Sequence, residues 1–451
     1  MNKIIKSFFF LYTSLYAQVL DEKELLKYFS TDNPNVYAVI GKNSIAQKKV
    51  DFAKGAFDLN LNANYEKKQY PNSDAEYEDF YFTKSFQNTL KMSTGYRYAK
   101  GVQEYNNIKT SGDGEFITNL KVPILEVINS IDKNTYSLQQ SQYSYEQTKM
   151  QSSKKLLDLQ LSLYEQYYKT LYFNELLELH SELFQRVKTR EKFIAKRVEK
   201  GVLAKIELLD ANEQRLAIEQ RLEETKNSFE INLKNLCFLM NLDFKSFKEK
   251  YTLPKIPDIE FKEYDAKKVI ESSLAKRDEI KILKNFNKAL HLDKKYNRLL
   301  QYPKIDLDLY GVYDPLYKDG YKVKLNLNFP LYQTKYEAKS QEILKHQDLI
   351  KQKILLKEHK IKTVLQNLLL EKATLEKNLQ TSYRQLQMLL EIESIEKKRY
   401  DLGVGDLFML NQREIKTLNV KTKTIELKYR RVINLKRVER ETSSFENEIA
   451  M

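Results

Sequence analysis

The sequence predicts a mostly α-helical chain with a membrane β portion. Each chain has four β-strands and two long coiled-coil helical hairpins, laid out as an internal structural repeat. Three observations carry this. Lys196-Arg197-Val198-Glu199-Lys200-Gly201 has a second copy, Lys398-Arg399-Tyr400-Asp401-Leu402-Gly403, and Arg197 to Arg399 is the same step of 202 residues as Gly201 to Gly403. Long stretches on each side of both glycines read as helix, with no proline near either. A glycine that ends one helix in a left-handed cap, before a short turn into another, is the sequence form of a helical hairpin. Finally, four short segments alternate apolar and polar residues, the period of a strand with one greasy and one wet face.

Composition agrees. The 451 residues include only 11 Gly and 8 Pro, which suits long helices with little loop, and a repeat accounts for the length without many domains. The division expected is a signal peptide over 1–17, a first repeat over 18–255 and a second over 256–451. Met1-Asn2-Lys3-Ile4-Ile5-Lys6 supplies a positive start, Phe8-Phe9-Phe10-Leu11-Tyr12 is apolar, and Ser14-Leu15-Tyr16-Ala17 offers a small residue before Gln18. That is the order of a secretory signal, too short to cross a bilayer as a helix. The single Cys237 cannot form an intramolecular disulfide; within Leu236-Cys237-Phe238-Leu239-Met240 it reads as a small buried hydrophobe. The formal charge of +14, or +12 without Lys3 and Lys6, comes from Lys and Arg interleaved with Glu and Asp along helices. This marks solvated helix faces, and no nucleic-acid partner is expected.

In chain order, residues 21–54 read as helix, broken at Thr31-Asp32-Asn33-Pro34, where Asn33-Pro34 is a helix-start signal. Phe57, Leu59, Leu61, Ala63 and Tyr65 then alternate with Asp58, Asn60, Asn62 and Asn64 as the first strand. The stretch 70–114, rich in Tyr, Asn, Ser, Asp and Gly, reads as an elaborated loop. Its strand-like pieces, Phe80-Tyr81-Phe82 and Tyr96-Arg97-Tyr98, could add a hairpin. Phe116, Thr118, Leu120 and Val122 form the second strand, closed by Pro123. From about Leu125 the pattern is helical, with Leu157, Leu161, Tyr164, Tyr168 and Leu171 on a coiled-coil-like seam. Beyond Gly201, the residues Phe229, Leu233, Leu236 and Met240 repeat that seam.

Leu253-Pro254-Lys255-Ile256-Pro257 punctuates the halves. The second half replays the first: a helix over 267–300, a strand with Ile305, Leu307 and Leu309, and a turn near Asp314-Pro315 and Asp319-Gly320. A strand with Val323, Leu325, Leu327 and Phe329 follows, closed by Pro330. From Pro123 to Gly201 is 78 residues, and from Pro330 to Gly403 is 73.

Four strands with one apolar face and two open edges cannot stand alone, and in lipid strands are viable only in a closed barrel. Closure therefore needs several copies, and three copies giving a trimeric twelve-stranded β-barrel is the simplest solution. Helices of about 75 residues run to roughly 110 Å, beyond a globular domain, and their apolar seams would join side by side into an α-barrel wall. An exported periplasmic coiled-coil scaffold or adaptor, without a membrane barrel, accounts for the helices but leaves the strands unexplained.

The pattern resembles the outer membrane efflux protein family, the TolC-like trimeric exit ducts of efflux pumps and type I secretion systems. The duplicated Arg197-x3-Gly201 and Arg399-x3-Gly403 turns carry the resemblance, with Ile206-Glu207-Leu208-Leu209-Asp210-Ala211 and Leu407-Phe408-Met409-Leu410-Asn411-Gln412-Arg413-Glu414 after them. The Arg277-Asp278 helix leading to Pro303 and a strand is similar too. The resemblance implies an outer-membrane channel with its helical part in the periplasm. Its partners would be two further copies of itself, outer-membrane lipid, a periplasmic adaptor (membrane fusion) protein and an inner-membrane transporter. It also implies a periplasmic tip that contacts the adaptor and gates the duct, formed here by Arg197, Gly201, Glu207, Arg399, Tyr400, Gly403 and Asp406. Within it a hydrogen bond between Glu207 and Tyr400 is expected to hold the tip shut. Gln412 stands where some members carry an acidic ring, so a carboxylate cation filter is not expected.

No enzyme activity, cofactor or metal is expected. His180, His291, His346 and His359 lie along helices without matched acids and nucleophiles, no Cys/His cluster has metal-ligand spacing, and Gly403-Val404-Gly405 lacks the lysine and strand of a phosphate loop.

Overall fold

The computed structural model describes residues 18–71, 73–101, 110–259 and 263–445; the expected signal peptide lies outside the described residues. A two-residue strand β1 (Gln18–Val19) leads into helix α1 (Glu22–Lys27), whose N-terminus is capped by the Asp21 carboxylate accepting from the Glu24 N–H at 2.8 Å. Helix α2 (Pro34–Lys54) starts at the expected proline, which fits the first turn because its missing N–H would be unpaired there anyway. A single 3-10 turn, Gly55–Phe57, passes the chain to the sheet.

Four strands follow: β2 (Leu59–Tyr70), β3 (Ser73–Ser85), β4 (Lys91–Gly101) and β5 (Glu115–Pro123). Helix α3 (Ile124–Asn129) ends at Ser130, whose φ of 51° turns the chain into α4 (Lys133–Glu199). Helix α5 (Lys205–Met240) returns, and short α6 (Phe244–Lys250) leads to β6 (Tyr251–Thr252), which pairs in parallel with β1. The second half comprises α7 (Ala266–Lys276), α8 (Asp278–Gln301), β7 (Lys304–Asp314), β8 (Lys318–Asn328), α9 (Thr334–Asp401) and α10 (Leu407–Glu441). The long helices have 67 and 68 residues, and their return helices 36 and 35.

Two expectations need correction. The single helix expected over 267–300 is broken at Arg277, which takes extended φ and ψ of −64° and 122°. Its guanidinium, almost fully buried, pairs with Glu441 at 2.5 Å, a contact that a continuous helix would have to give up. More consequentially, the sheet has six strands, not four, in the order β2-β3-β4-β5-β7-β8, and every neighbouring pair is antiparallel. The stretch expected as an elaborated loop forms β3 and β4, so the count of twelve for three copies loses its premise.

The chain divides into two compact units. One comprises residues 1–40, 154–277 and 359–451, the other 41–153 and 278–358, so each sequence half contributes to both. The core of the first joins the two expected seams. Leu157, Tyr164, Tyr168 and Leu171 of α4 meet Leu233, Leu236 and Met240 of α5, with Leu20 and Leu25 beneath. Cys237 is buried in the same cluster, and burial pushes its thiol up to about 11. In the second unit, apolar side chains of α2 and α4 close over Phe57, while α8 and α9 share Leu290, Ile343 and Ile350.

Candidate functional site

The hairpin tips lie in the first unit, and their backbone does what the duplicated motif requires. Gly201 has φ of 70°; its N–H donates to the Val198 carbonyl at 2.9 Å, and the Val202 N–H donates to the Arg197 carbonyl at 2.8 Å. Gly403, at 76°, repeats both bonds with Tyr400 and Arg399. This pair of hydrogen bonds satisfies helix-end carbonyls and needs the left-handed residue that glycine supplies without strain. Gly405 is required for a different reason. A Cβ there would lie 2.6 Å from the Tyr400 nitrogen and 2.9 Å from the Arg399 carbonyl carbon.

The expected site side chains each have their own surroundings. Arg197 lies over the Phe193 ring at 5.6 Å, and Arg399 pairs with Glu396 at 3.4 Å. Asp406 caps α10 by accepting from the Phe408 N–H at 3.1 Å; Ala204, at the head of α5, has no side chain to do this. Tyr400 packs half-buried against Ile194, Ala211 and Leu407. Burial raises its phenol pKa; the Arg190 and Arg197 charges pull it down and Glu207 pushes it up. Glu207 thus acts on Tyr400 as a nearby charge, and among the described residues no hydrogen bond joins them.

Hydrogen-bonded contacts between the helices lie deeper, at Arg190. Arg190 of α4 donates to the Asn411 side-chain oxygen at 2.7 Å and, through its other nitrogen, to the Glu414 carboxylate of α10, which is 4% exposed. Arg186 pairs with Glu393 of α9 at 3.2 Å, and Glu191 with Arg215 of α5 at 3.2 Å. Near the tip, helix α4 is therefore tied to α5, α9 and α10. Sequence reasoning missed Arg190 because it has no copy: the 202-residue step places Ile392 at its counterpart and Asn212 at that of Glu414. That break in the repeat was the available signal. Both tips also expose apolar side chains, Val202, Ile206 and Leu209 on one and Leu402, Val404 and Phe408 on the other, with Leu402 79% exposed.

The sheet, in the second unit, has two chemically opposite faces. One register row reads Leu59, Lys84, Met92, Leu120, Leu309 and Val323; the row one step along the other face reads Asn60, Thr83, Ser93, Asn119, Tyr310 and Lys322. Apolar side chains on the first face stand exposed, Leu325 by 58% and Tyr321 by 87%. The polar face ties itself together. Asn64 donates to Asp79 at 2.7 Å, Arg97 pairs with Glu115, Lys121 with Asp306 at 2.7 Å, and Asn326 donates to Asp308 at 2.8 Å. Among the described residues, strands β2 and β8 each have a neighbour on one side only. Among the described residues no helix is long and apolar enough to cross a membrane, and no group of His, Cys, Asp and Glu could hold a metal.

No protein-family model matches the sequence, and no curated protein matches it. Solved structures do. The CmeC outer membrane channel of Campylobacter jejuni superposes with a TM-score of 0.72 at 12% identity, over 95% of this chain and 87% of that one. The outer membrane protein VceC of Vibrio cholerae gives 0.71 at 12% identity, over 93% and 95%. The open state of the MtrE outer membrane channel of Neisseria gonorrhoeae gives 0.67 at 13%, over 93% and 88%. The chain has the fold of these outer-membrane channels.

Proposed function

We propose that this chain is the outer-membrane exit duct of a tripartite efflux pump: a trimer whose sheets close into a membrane barrel and whose helices stand in the periplasm. The observation that carries the reading is the two-faced sheet. Its exposed apolar face suits acyl chains, its self-paired polar face suits a water-filled lumen, and its open edges, β2 and β8, must find partners before the backbone can enter lipid. Three copies meeting edge to edge meet that requirement, and the likeness to solved outer-membrane channels favours it.

The hairpin tips are the docking and gating end. Their exposed apolar side chains offer a surface for a periplasmic adaptor, and the pairing of Arg190 with Glu414 and Asn411 holds α4 against α10 where an opening duct would part them. Glu207 and Tyr400 tune that end by charge and packing. Conduction is passive and the chain is a transporter component, not an enzyme; energy comes from an inner-membrane transporter that shares the adaptor. A scaffold without a barrel would leave the exposed apolar sheet face without a purpose.

The full mature protein, extracted in detergent and placed in planar bilayers, should run as a heat-modifiable oligomer and give discrete conductance steps. A monomer that stays in solution without detergent and gives no steps would end this reading.

A further inference from the structure

We infer that the β3–β4 hairpin is part of the membrane wall itself, so that three copies of the six-stranded sheet close a ring of about eighteen strands and not twelve. The inference rests on the channel reading above but makes a separate claim about the wall. Among the described residues, strand β2 pairs with β3 alone, from Leu59–Lys84 to Tyr70–Ser73, while β5 pairs with β4 on one side and β7 on the other. With the hairpin outside the bilayer, β2 would cross the lipid with no neighbour inside its own chain, and β5 would show an open edge. Unpaired backbone groups in hydrocarbon cost several kcal/mol each, so a wall that skips the hairpin is excluded by its own hydrogen bonding.

The hairpin also spans the same height as its neighbours. Strands β3 and β4 have 13 and 11 residues, enough for the roughly 9–11 that a tilted strand needs to cross a bilayer. Their shared turn, residues 86–90, lies at the helix end of the sheet: the Thr135 hydroxyl near the start of α4 donates to the Gln87 carbonyl at 3.5 Å, and Thr89 is fully buried there. A hairpin lying outside the membrane on the far side would turn at the other end.

The apolar face runs into the hairpin through Phe80, Phe82, Met92 and Tyr96, and gives way to Glu78 and Glu76 on the side away from the turn. The row Ala63, Phe80, Tyr96, Phe116 and Tyr313 crosses five strands on the apolar face, with Tyr96 and Phe116 in edge-to-face contact at 5.6 Å. Aromatics in such a band mark a membrane–water boundary. Lys84, the one cation in its row, lies one residue from the end of β3, where its chain can reach the interface. Because barrel diameter grows about linearly with strand number, the ring would be roughly one and a half times as wide as a twelve-stranded one.

The test uses the full-length protein in lipid vesicles, with the buried Cys237 left in place and one added cysteine per variant. Phe82→Cys and Thr94→Cys probe the apolar face of the hairpin, Tyr81→Cys and Ser93→Cys its polar face. Leu61→Cys with Asn62→Cys, and Leu325→Cys with Lys324→Cys, report on β2 and β8. A charged, membrane-impermeant maleimide should label 81 and 93 but not 82 and 94, matching the alternation at 62 over 61 and 324 over 325. In planar bilayers the same charged reagent should reduce the current of the Ser93→Cys channel. Alternation on β2 and β8 with equal labelling of all four hairpin positions, and no loss of current, would put the hairpin outside the wall and overturn the inference while leaving the channel standing. Absence of alternation on β2 and β8 as well would overturn both.

Discussion

At the scale of single residues, the tip depends on one buried charge pair more than on the expected tyrosine. Glu414 is almost wholly buried and Arg190 is its cation. Removing one partner leaves the other charged and dry, a loss that usually exceeds what the pair contributes. Arg190→Ala should therefore lower stability by about 3 kcal/mol in denaturant unfolding, and Arg190→Ala with Glu414→Gln should recover part of it. Tyr400 behaves differently because no hydrogen bond among the described residues rests on its hydroxyl. Tyr400→Phe keeps the ring against Ile194 and Leu407 and should change unfolding by less than about 0.5 kcal/mol; Tyr400→Ala should cost about 2 kcal/mol.

His180 adds a pH dependence. Its Nδ1 meets the Thr225 hydroxyl at 2.9 Å, and burial, with Arg221 adding to it, lowers its pKa. The unfolded chain then takes up the proton first, so this contribution is present above about pH 6.5 and is lost as pH falls below it. His180→Gln should flatten the fall of the thermal midpoint between about pH 6.5 and 5.

At the scale of elements, the two glycines of the second tip turn separate two kinds of cost. Gly403 and its counterpart Gly201 have left-handed φ, and a Cβ at either meets nothing within 4 Å. Alanine there pays only the conformational penalty, about 1 kcal/mol. At Gly405 the Cβ would strike the backbone of Tyr400. Gly405→Ala should be the more damaging change, displacing the turn and raising proteolytic nicking at the tip, where Gly201→Ala should not.

Elements also explain what was legible in the sequence. The hairpin turns could be read because Arg-x3-Gly occurs twice, and β2, β5, β7 and β8 because Leu, Val and Ile alternate with Asn, Asp and Lys. Strands β3 and β4 hid because tyrosine occupies both faces: Tyr77 and Tyr81 lie on the polar one, Tyr96 and Tyr98 on the apolar one. Their turn hid too, since Phe86-Gln87-Asn88-Thr89-Leu90 contains neither Gly nor Pro, and Thr89 itself takes φ of 72°. The Arg190–Glu414 pair joins α4 to α10 across 224 residues, and nothing local in the chain announces it.

At the scale of the whole molecule, the proposed closure of open-edged sheets in lipid couples folding to assembly, so a face-specific substitution should be read out in assembly. Leu325 and Lys324 are neighbours on β8 with opposite faces: Leu325 shares the apolar row of Leu307, and Lys324 pairs across from Asp308 on the polar side. An arginine at a lipid-facing position costs about 2–4 kcal/mol at the bilayer midplane, whereas the lumen side tolerates charge. In the proposed trimer the cost would be incurred once per copy, so Leu325→Arg should total roughly three times that figure per assembly. The expected outcome is loss of the heat-resistant oligomer from the outer-membrane fraction for Leu325→Arg, with Lys324→Gln retaining it and changing only the ion preference of the channel. Equal assembly of both variants would mean that the exposed apolar face of β8 does not meet lipid.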